Sequence, residues 1–438
     1  MREAFSRLVA AAMLLSAAAV FSGGPAWAAA AECSAEKRAE ILAPARGKDT
    51  DVLIDCSITL KPGDVVTKRL IFRGKQASGV TFDCNGGTID GLRQKTKEDT
   101  IEIVSQRRSR NGENTWIRPE NVTIRNCTLK GSVHVIGMGR NGQGRFVKES
   151  SFTRGHTKRA QDAAPRNVTL SKMTIEAKDS RTPIYLGPGA TYFTLEDSVL
   201  SGQSNALGVY LDAESAHNTF RNNTFRVKTE GREIIAVDGS ADNLFVGNRF
   251  SALQQGGIYI YRNCGEGGTV RHLEPRRNKI INNVFYYKDF SGHTISIRNW
   301  TTGSFNMTGK VPAVWVGSRG GMQPWCGSDS KYPFGSGKDN GDFARDNVIA
   351  QNQVVELSAK DMIEVDDKPN TVFDNESVKE VKKRASGCYV ENGFPKPFIG
   401  DGETIRVMNK NGKPVCTGTA FTCRDGIAVT TKVTCGKE

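Results

Sequence analysis

Four nine-residue stretches decide the architecture: NVTLSKMTI (167–175), YFTLEDSVL (192–200), HNTFRNNTF (217–225) and DNLFVGNRF (242–250). Their starts lie 25 residues apart, and the block recurs as NVTIRNCTL (121–129), RNKIINNVF (277–285) and, more weakly, RDNVIAQNQV (345–354). Self-similarity at a fixed period of this size marks stacked structural units. Inside the block apolar residues alternate, and β-branched and aromatic types dominate, whereas a helical unit needs a 3.6-residue period. Each unit is therefore made of strands and turns.

A second short strand accompanies the block, at Ile184-Tyr185-Leu186, Val209-Tyr210-Leu211, Ile235-Ala236-Val237, Ile258-Tyr259-Ile260 and Ile295-Ser296-Ile297. Two or three such strands per coil, with Asn and Gly at the corners, stack in parallel on the next coil and bury one continuous core. Asn222, Asn223, Asn248, Asn282 and Asn283 read as corner residues bonded along the stack. The pattern resembles the right-handed parallel β-helix superfamily that includes pectate lyases, polygalacturonases, rhamnogalacturonases and alginate epimerases, over roughly residues 50–380. That resemblance implies an all-β solenoid and points to carbohydrates without selecting a reaction. The polygalacturonase set (Asn-x-Asp, Asp-Asp, Gly-His-Gly, Arg-x-Lys) is absent, so no family's site residues carry over.

The ends follow from the same logic, since a solenoid must cap its terminal coils. A basic start, an apolar run from Leu8 to Phe21 and Ala26-Trp27-Ala28 read as a signal peptide over 1–28, directing secretion or periplasmic export. Residues 29–52 form an N-terminal cap, with a short helix over 34–45; 53–380 form the β-helix, interrupted by an aromatic insertion at about 300–345; 381–438 form a small Cys-rich C-terminal segment, read as a cap ahead of a glycan-binding module. Ten cysteines in an exported chain point to disulfides. Cys33 with Cys56, Cys264 with Cys326 and two bridges among the last four are the nearest pairings in sequence. No later stretch is apolar enough to span a membrane. The formal charge of +13 would favour nucleic acid in a cytoplasmic protein. Outside the cytoplasm it favours a polysaccharide, acidic ones included. The oligomeric state is not encoded in any pattern here.

The candidate chemistry sits just past the second strand. If Leu186, Leu211, Val237, Ile260 and Ile297 face inward, the next residues, Gly187, Asp212, Asp238, Tyr261 and Arg298, face outward. Asp212 and Asp238 then stack as near neighbours, about 4.8 Å apart along the solenoid, with Glu214, Tyr261, Arg262 and Arg298 on the same face. Close carboxyls drive their pKa values apart, so one serves as acid while the other stays ionised. That suits glycoside hydrolysis by Asp212 and Asp238, with Glu214 in support and no cofactor. The same acids could instead hold Ca²⁺ for β-elimination from a uronate glycan, with Arg298 or Tyr261 as base. Tyr261, Arg262 and Arg298 would bind substrate, as would Trp300, Trp315 and Trp325 by stacking on sugar rings. A ladder of solvated turn residues on a non-catalytic, glycan-binding or envelope solenoid is the alternative.

Overall fold

The computed structural model describes residues 29–91, 99–178, 182–287, 311–317, 327–339 and 343–382, together with the backbone of strands between 295 and 307 and between 387 and 435. The signal-peptide region, Trp300, Trp325 and Cys326 lie outside the described residues.

The chain winds as a parallel β-helix with three strands per coil. Three sheets of 10, 10 and 11 strands run along the solenoid, each strand pairing with its counterpart one coil later. The first sheet runs from Asp51–Leu53 to Ile363–Val365, the second from Ile58–Thr59 to Thr371–Phe373, the third from Val65–Val66 to Glu376–Val378. The nine-residue block supplies the second and third strands, and the Ile-x-Leu type tripeptide supplies the first. Register stacks like on like. Leu186, Leu211, Val237 and Ile260 align in the first sheet, and Leu195, Phe220, Phe245 and Ile280 in the second, all buried. Phe225, Phe250 and Phe285 stack with ring centroids 4.8 and 4.9 Å apart.

Corners are set by left-handed backbone. The block opens on one such residue (His217, φ +59°; Asp242, φ +58°) and turns again five residues later (Asn222, φ +55°; Gly247, φ +67°). Residues with short polar side chains, and glycine, tolerate that conformation best. The buried asparagines that follow each corner form two ladders. In one, Asn223 Nδ2 donates to Asn248 Oδ1 at 3.0 Å, and the series runs on through Asn283 and Asn352 to Asn375. In the other, Asn218, Asn243, Asn278, Asn347 and Asn370 are linked in the same way. Asn278 and Asn347 are 69 residues apart in sequence yet 3.0 Å apart in the ladder. Asn222 and Asn282, by contrast, hold the corners themselves.

At the N-terminal end, helix Ala35–Leu42, capped by Ser34, buries Ile41 against the core. The Cys33–Cys56 bridge forms, and a second, Cys84–Cys127, ties adjacent coils. Cys264 is disulfide-bonded, its expected partner lying outside the described residues. The C-terminal strands form a four-stranded and a three-stranded sheet that do not continue the three sheets of the solenoid.

Two expectations are corrected. Ile295–Asn299 pairs antiparallel with Gly303–Met307 as a hairpin, so Arg298 is not the next rung after Tyr261. That rung is Val314–Val316, which pairs with Ile258–Tyr261. Trp315 thus belongs to a coil strand inside the segment read as one long insertion. Both tripeptides alternate identically, and alternation specifies a strand without specifying its partner.

Candidate functional site

Asp212 and Asp238 stand on successive rungs at the ends of first-sheet strands, because Leu211 pairs with Val237 and each acid follows its apolar neighbour. Adjacency is as read from the repeat; exposure is not. Asp212 is 1% exposed and Asp238 0%. The reason lies in two segments that leave the solenoid at this corner. One, between strands Val133–Ile136 and Arg166–Ser171, carries helices Arg145–Ser151 and His156–Ala163; the other links Ile258–Tyr261 to Lys279–Ile281. Together they bring Arg271 over the acids.

Arg271 is the hub. Its Nη1 lies 3.3 Å from Asp212 Oδ1 and 3.8 Å from Asp238 Oδ2, and its Nη2 lies 3.1 Å from Glu266 Oε2. The guanidinium is buried, which opposes its charge, but the three carboxyls outweigh burial and hold it protonated. Asp212 also accepts from Tyr185 Oη at 2.7 Å, Gly142 N at 3.1 Å and Ala213 N at 2.7 Å. Asp238 accepts from Tyr210 Oη at 2.7 Å and from Asn263 N and Nδ2, each at 2.8 Å. Burial, opposed by Arg271 and reinforced by Asp238, raises the Asp212 carboxyl above the ordinary aspartate range. Burial raises Glu266 in the same way, against Arg271 and with Asp238 and Asp212 adding to the rise. Glu266 differs in access, since its side chain is 21% exposed. It is the member of the trio that meets solvent. Tyr185 and Tyr210, buried beside Asp212 and Asp238, are held as protonated donors.

The remaining predicted residues do other work. Glu214, in left-handed backbone (φ +66°), accepts from His272 N at 2.7 Å, from Leu273 N at 3.1 Å and from Thr157 Oγ1. It staples the second helix of one segment to the other segment. Tyr261 donates to Glu233 Oε1 at 2.9 Å and accepts from Arg232 at 2.6 Å, so its phenol is engaged away from the acid pair. Arg262, fully buried, reaches the Arg271 carbonyl at 3.5 Å. Trp315 Nε1 donates to Asp366 at 2.8 Å and the ring meets Tyr259 edge-on at 5.8 Å, in an aromatic row on the outer face of the first sheet. None of Glu214, Tyr261 and Arg262 faces open solvent as the outward alternation predicts: Glu214 is held between the two covering segments, and Tyr261 packs with Leu207, Tyr259 and Val311 on the outer face of the first sheet.

The oxygens expected to hold calcium under the lyase alternative, those of Asp212, Asp238 and Glu214, are engaged by protein groups. Arg271 holds the space between Asp212 and Asp238, the Glu214 oxygens are spent on backbone amides and Thr157, and a hard cation needs six or more oxygens around it. Among the described residues no three acidic, imidazole or thiolate groups converge as a cation site.

Sequence reasoning missed Arg271, which lies in no recognisable motif. It also missed Tyr185 and Tyr210, whose signal was their shared place in the middle of the repeated tripeptide. Glu266 sits in a Gly-rich run, Gly265 to Gly268, whose close backbone approach was the available signal.

A three-sheet parallel solenoid with a capped acid cluster at one corner defines the class of this protein. A family model described as the right-handed β-helix region matches residues 57–309, and the chain belongs to that family. Solved structures it is similar to include the A-module of an Azotobacter vinelandii mannuronan C-5 epimerase (13% identity, 74% of this chain and 80% of that one, TM-score 0.34). An endo-xylogalacturonan hydrolase from Aspergillus tubingensis (11%, 74% and 84%, 0.34) and a surface protein and adhesin of Streptococcus pneumoniae (10%, 74% and 89%, 0.35) are others. No curated protein matches the chain.

Proposed function

We propose that this protein is an exported polysaccharide-degrading enzyme, a glycoside hydrolase working from the Asp212–Asp238–Glu266 cluster. The observation that carries the reading is the gathering of three carboxyls on one buried guanidinium, two of them raised above their ordinary range. Glycoside hydrolysis needs an acid that stays protonated and a carboxylate that activates water or attacks carbon. Glu266, at the solvent edge, is the acid that protonates the leaving oxygen. Asp212 and Asp238 supply the carboxylate, and Arg271 fixes their geometry and balances their charge. The Cys33–Cys56 and Cys84–Cys127 bridges and the disulfide-bonded Cys264 fit an oxidising compartment, and among the described residues no helix is long and apolar enough to cross a membrane.

A second reading draws on the full burial of Asp212 and Asp238. In it the cluster is structural, and the partly exposed Trp315 on the outer face of the first sheet serves a glycan-binding solenoid without turnover. The calcium-dependent lyase gains no support from the donor set. One measurement separates the three: product release from neutral and uronate polysaccharides, followed by reducing ends and by absorbance at 235 nm with calcium or chelator. New reducing ends without absorbance support hydrolysis. Chelator-sensitive absorbance overturns it in favour of elimination, and silence with retained binding favours the non-catalytic solenoid.

A further inference from the structure

A cavity of about 500 Å³ lies apart from the acid cluster, between the hairpin Gln106–Arg110/Glu113–Ile117 and the two helices Arg145–Ser151 and His156–Ala163. Its apolar wall is Trp116, Phe146 and Met138; its polar wall is Asn114, Glu149 and Asp162. The indole of Trp116 meets Phe146 edge-to-face at 5.5 Å, and Arg107 packs over the Phe146 ring at 4.8 Å while holding Asn114 Oδ1 at 3.0 Å. These contacts fix the aromatic wall in place.

One atom in that wall is unsatisfied. Trp116 Nε1 is buried and donates to no protein group. A buried indole N–H ordinarily finds an acceptor, and leaving it without one costs on the order of 1–3 kcal/mol. In the same lining, Glu149 commits one oxygen to Arg145 at 2.9 Å and Asp162 one to Lys158 at 2.5 Å, leaving the second oxygen of each to accept. Arg159 is spent on Ser150, Thr153 and Arg154.

We propose that this cavity is a secondary glycan subsite that takes a neutral sugar segment. The glycan class rests on the proposed function; the subsite itself rests on the cavity. An aromatic wall suits the apolar face of a sugar ring, the indole N–H needs a hydroxyl oxygen, and two carboxylate oxygens suit hydroxyl donors. A wholly apolar ligand would strip water from Glu149 and Asp162 without replacing it. A neutral segment also suits the charge balance of the lining: Glu149 and Asp162 are paired with Arg145 and Lys158, Arg159 is held by Ser150, Thr153 and Arg154, and Arg107 by Asn114, so the charges around the cavity are already matched and a uronate gains no partner of its own. The volume falls within the range of small-ligand sites. A chain of contacts links the cavity wall to the segment that carries Arg271: Ser150 Oγ contacts His156 Nδ1 at 3.0 Å, and the His156 ring packs at 5.2 Å on His272, the neighbour of Arg271.

The test reads binding alone, in the full chain carrying Glu266→Gln so that turnover does not consume the probe. Cellotetraose, xylotetraose, mannotetraose and maltotetraose are titrated against ¹⁵N-labelled protein, with tetragalacturonate as the acidic comparison. The Trp116 indole N–H resonance is assigned by its loss in Trp116→Phe. The expected result is a saturable shift of that resonance with at least one neutral probe, none with tetragalacturonate, and at least tenfold weaker binding in Trp116→Ala. Trp116→Phe, which keeps an aromatic wall, folds and binds with intermediate affinity. No shift with any neutral probe, or unchanged affinity in Trp116→Ala, overturns the proposal. Binding here in a protein that shows no turnover would retain the subsite and remove the hydrolase; turnover without binding here would do the reverse.

Discussion

Arg271 and Asp212 form an ion pair at 3.3 Å in which neither side chain is more than 2% exposed. A buried pair adds little over an apolar pair of the same shape, but removing one partner leaves an uncompensated charge. Arg271→Ala should therefore destabilise the chain by about 3–5 kcal/mol. Arg271→Met, equally uncharged, should fare no better, because the loss is electrostatic and not one of volume. Thermal unfolding of both variants checks this. Wild-type stability in either would show that the acids are held neutral without the guanidinium.

Glu266→Gln removes the proposed proton donor at a partly exposed position, so the fold should survive while turnover falls by about 10²–10⁴. The alkaline limb of the pH–rate profile, set in the wild type by a glutamate raised above its ordinary range, should vanish in the variant. Circular dichroism and a pH–rate series distinguish this from simple misfolding. Full activity in Glu266→Gln would move the acid role to another residue.

His156 is buried, and burial pushes its imidazole down to about 4. Its folded value lies below the unfolded one near 6.5, so the unfolded chain binds the extra proton first. The stability it contributes is complete above about pH 6.5 and is lost as pH falls towards 4, for a total on the order of 3 kcal/mol. Denaturant midpoints measured from pH 7.5 to 4.5 should drop across that window, and the drop should shrink in His156→Gln. An identical decline in both proteins would assign the effect to other groups.

Asn248 accepts from both the backbone and the side chain of Asn223 and donates to the Phe220 carbonyl and to Asn283. Asn248→Ala leaves a buried amide and a buried carbonyl unpaired, which should cost roughly 3 kcal/mol. Asn375→Ala, at the partly exposed end of the same ladder, should cost less. Urea midpoints for the pair report the difference. Equal losses would mean that the ladder is no more protected in the middle than at its end.

The fold was legible because a solenoid writes the same physics many times. Asn223, Asn248 and Asn283 recur at one place in the block, so the block locates all three although the last lies 35 residues after the second. The stacking of Asp212 on Asp238 follows from that register. Arg271 does not, since it belongs to a segment with no repeat, and its position is set by packing against helices more than a hundred residues earlier. For the same reason the burial of Asp212 was hidden: alternation tells which face a residue takes, while the cover over that face comes from chain that departs from the period. Arg298 shows the converse error, where good alternation led to a hairpin in place of a coil.

The asparagine ladder crosses from Asn278 to Asn347 with the same 3.0 Å bond it uses between coils only 25 residues apart. Excursions of any length can therefore be stored at a corner without disturbing the thread that runs past them. Such a scaffold separates inheritance of shape from inheritance of specificity: the coils can be copied conservatively while the corner segments are exchanged, lengthened or grafted. For protein engineering this makes the segment between Ile136 and Arg166 a replaceable cassette, with new ligand preferences installed on an unchanged spine.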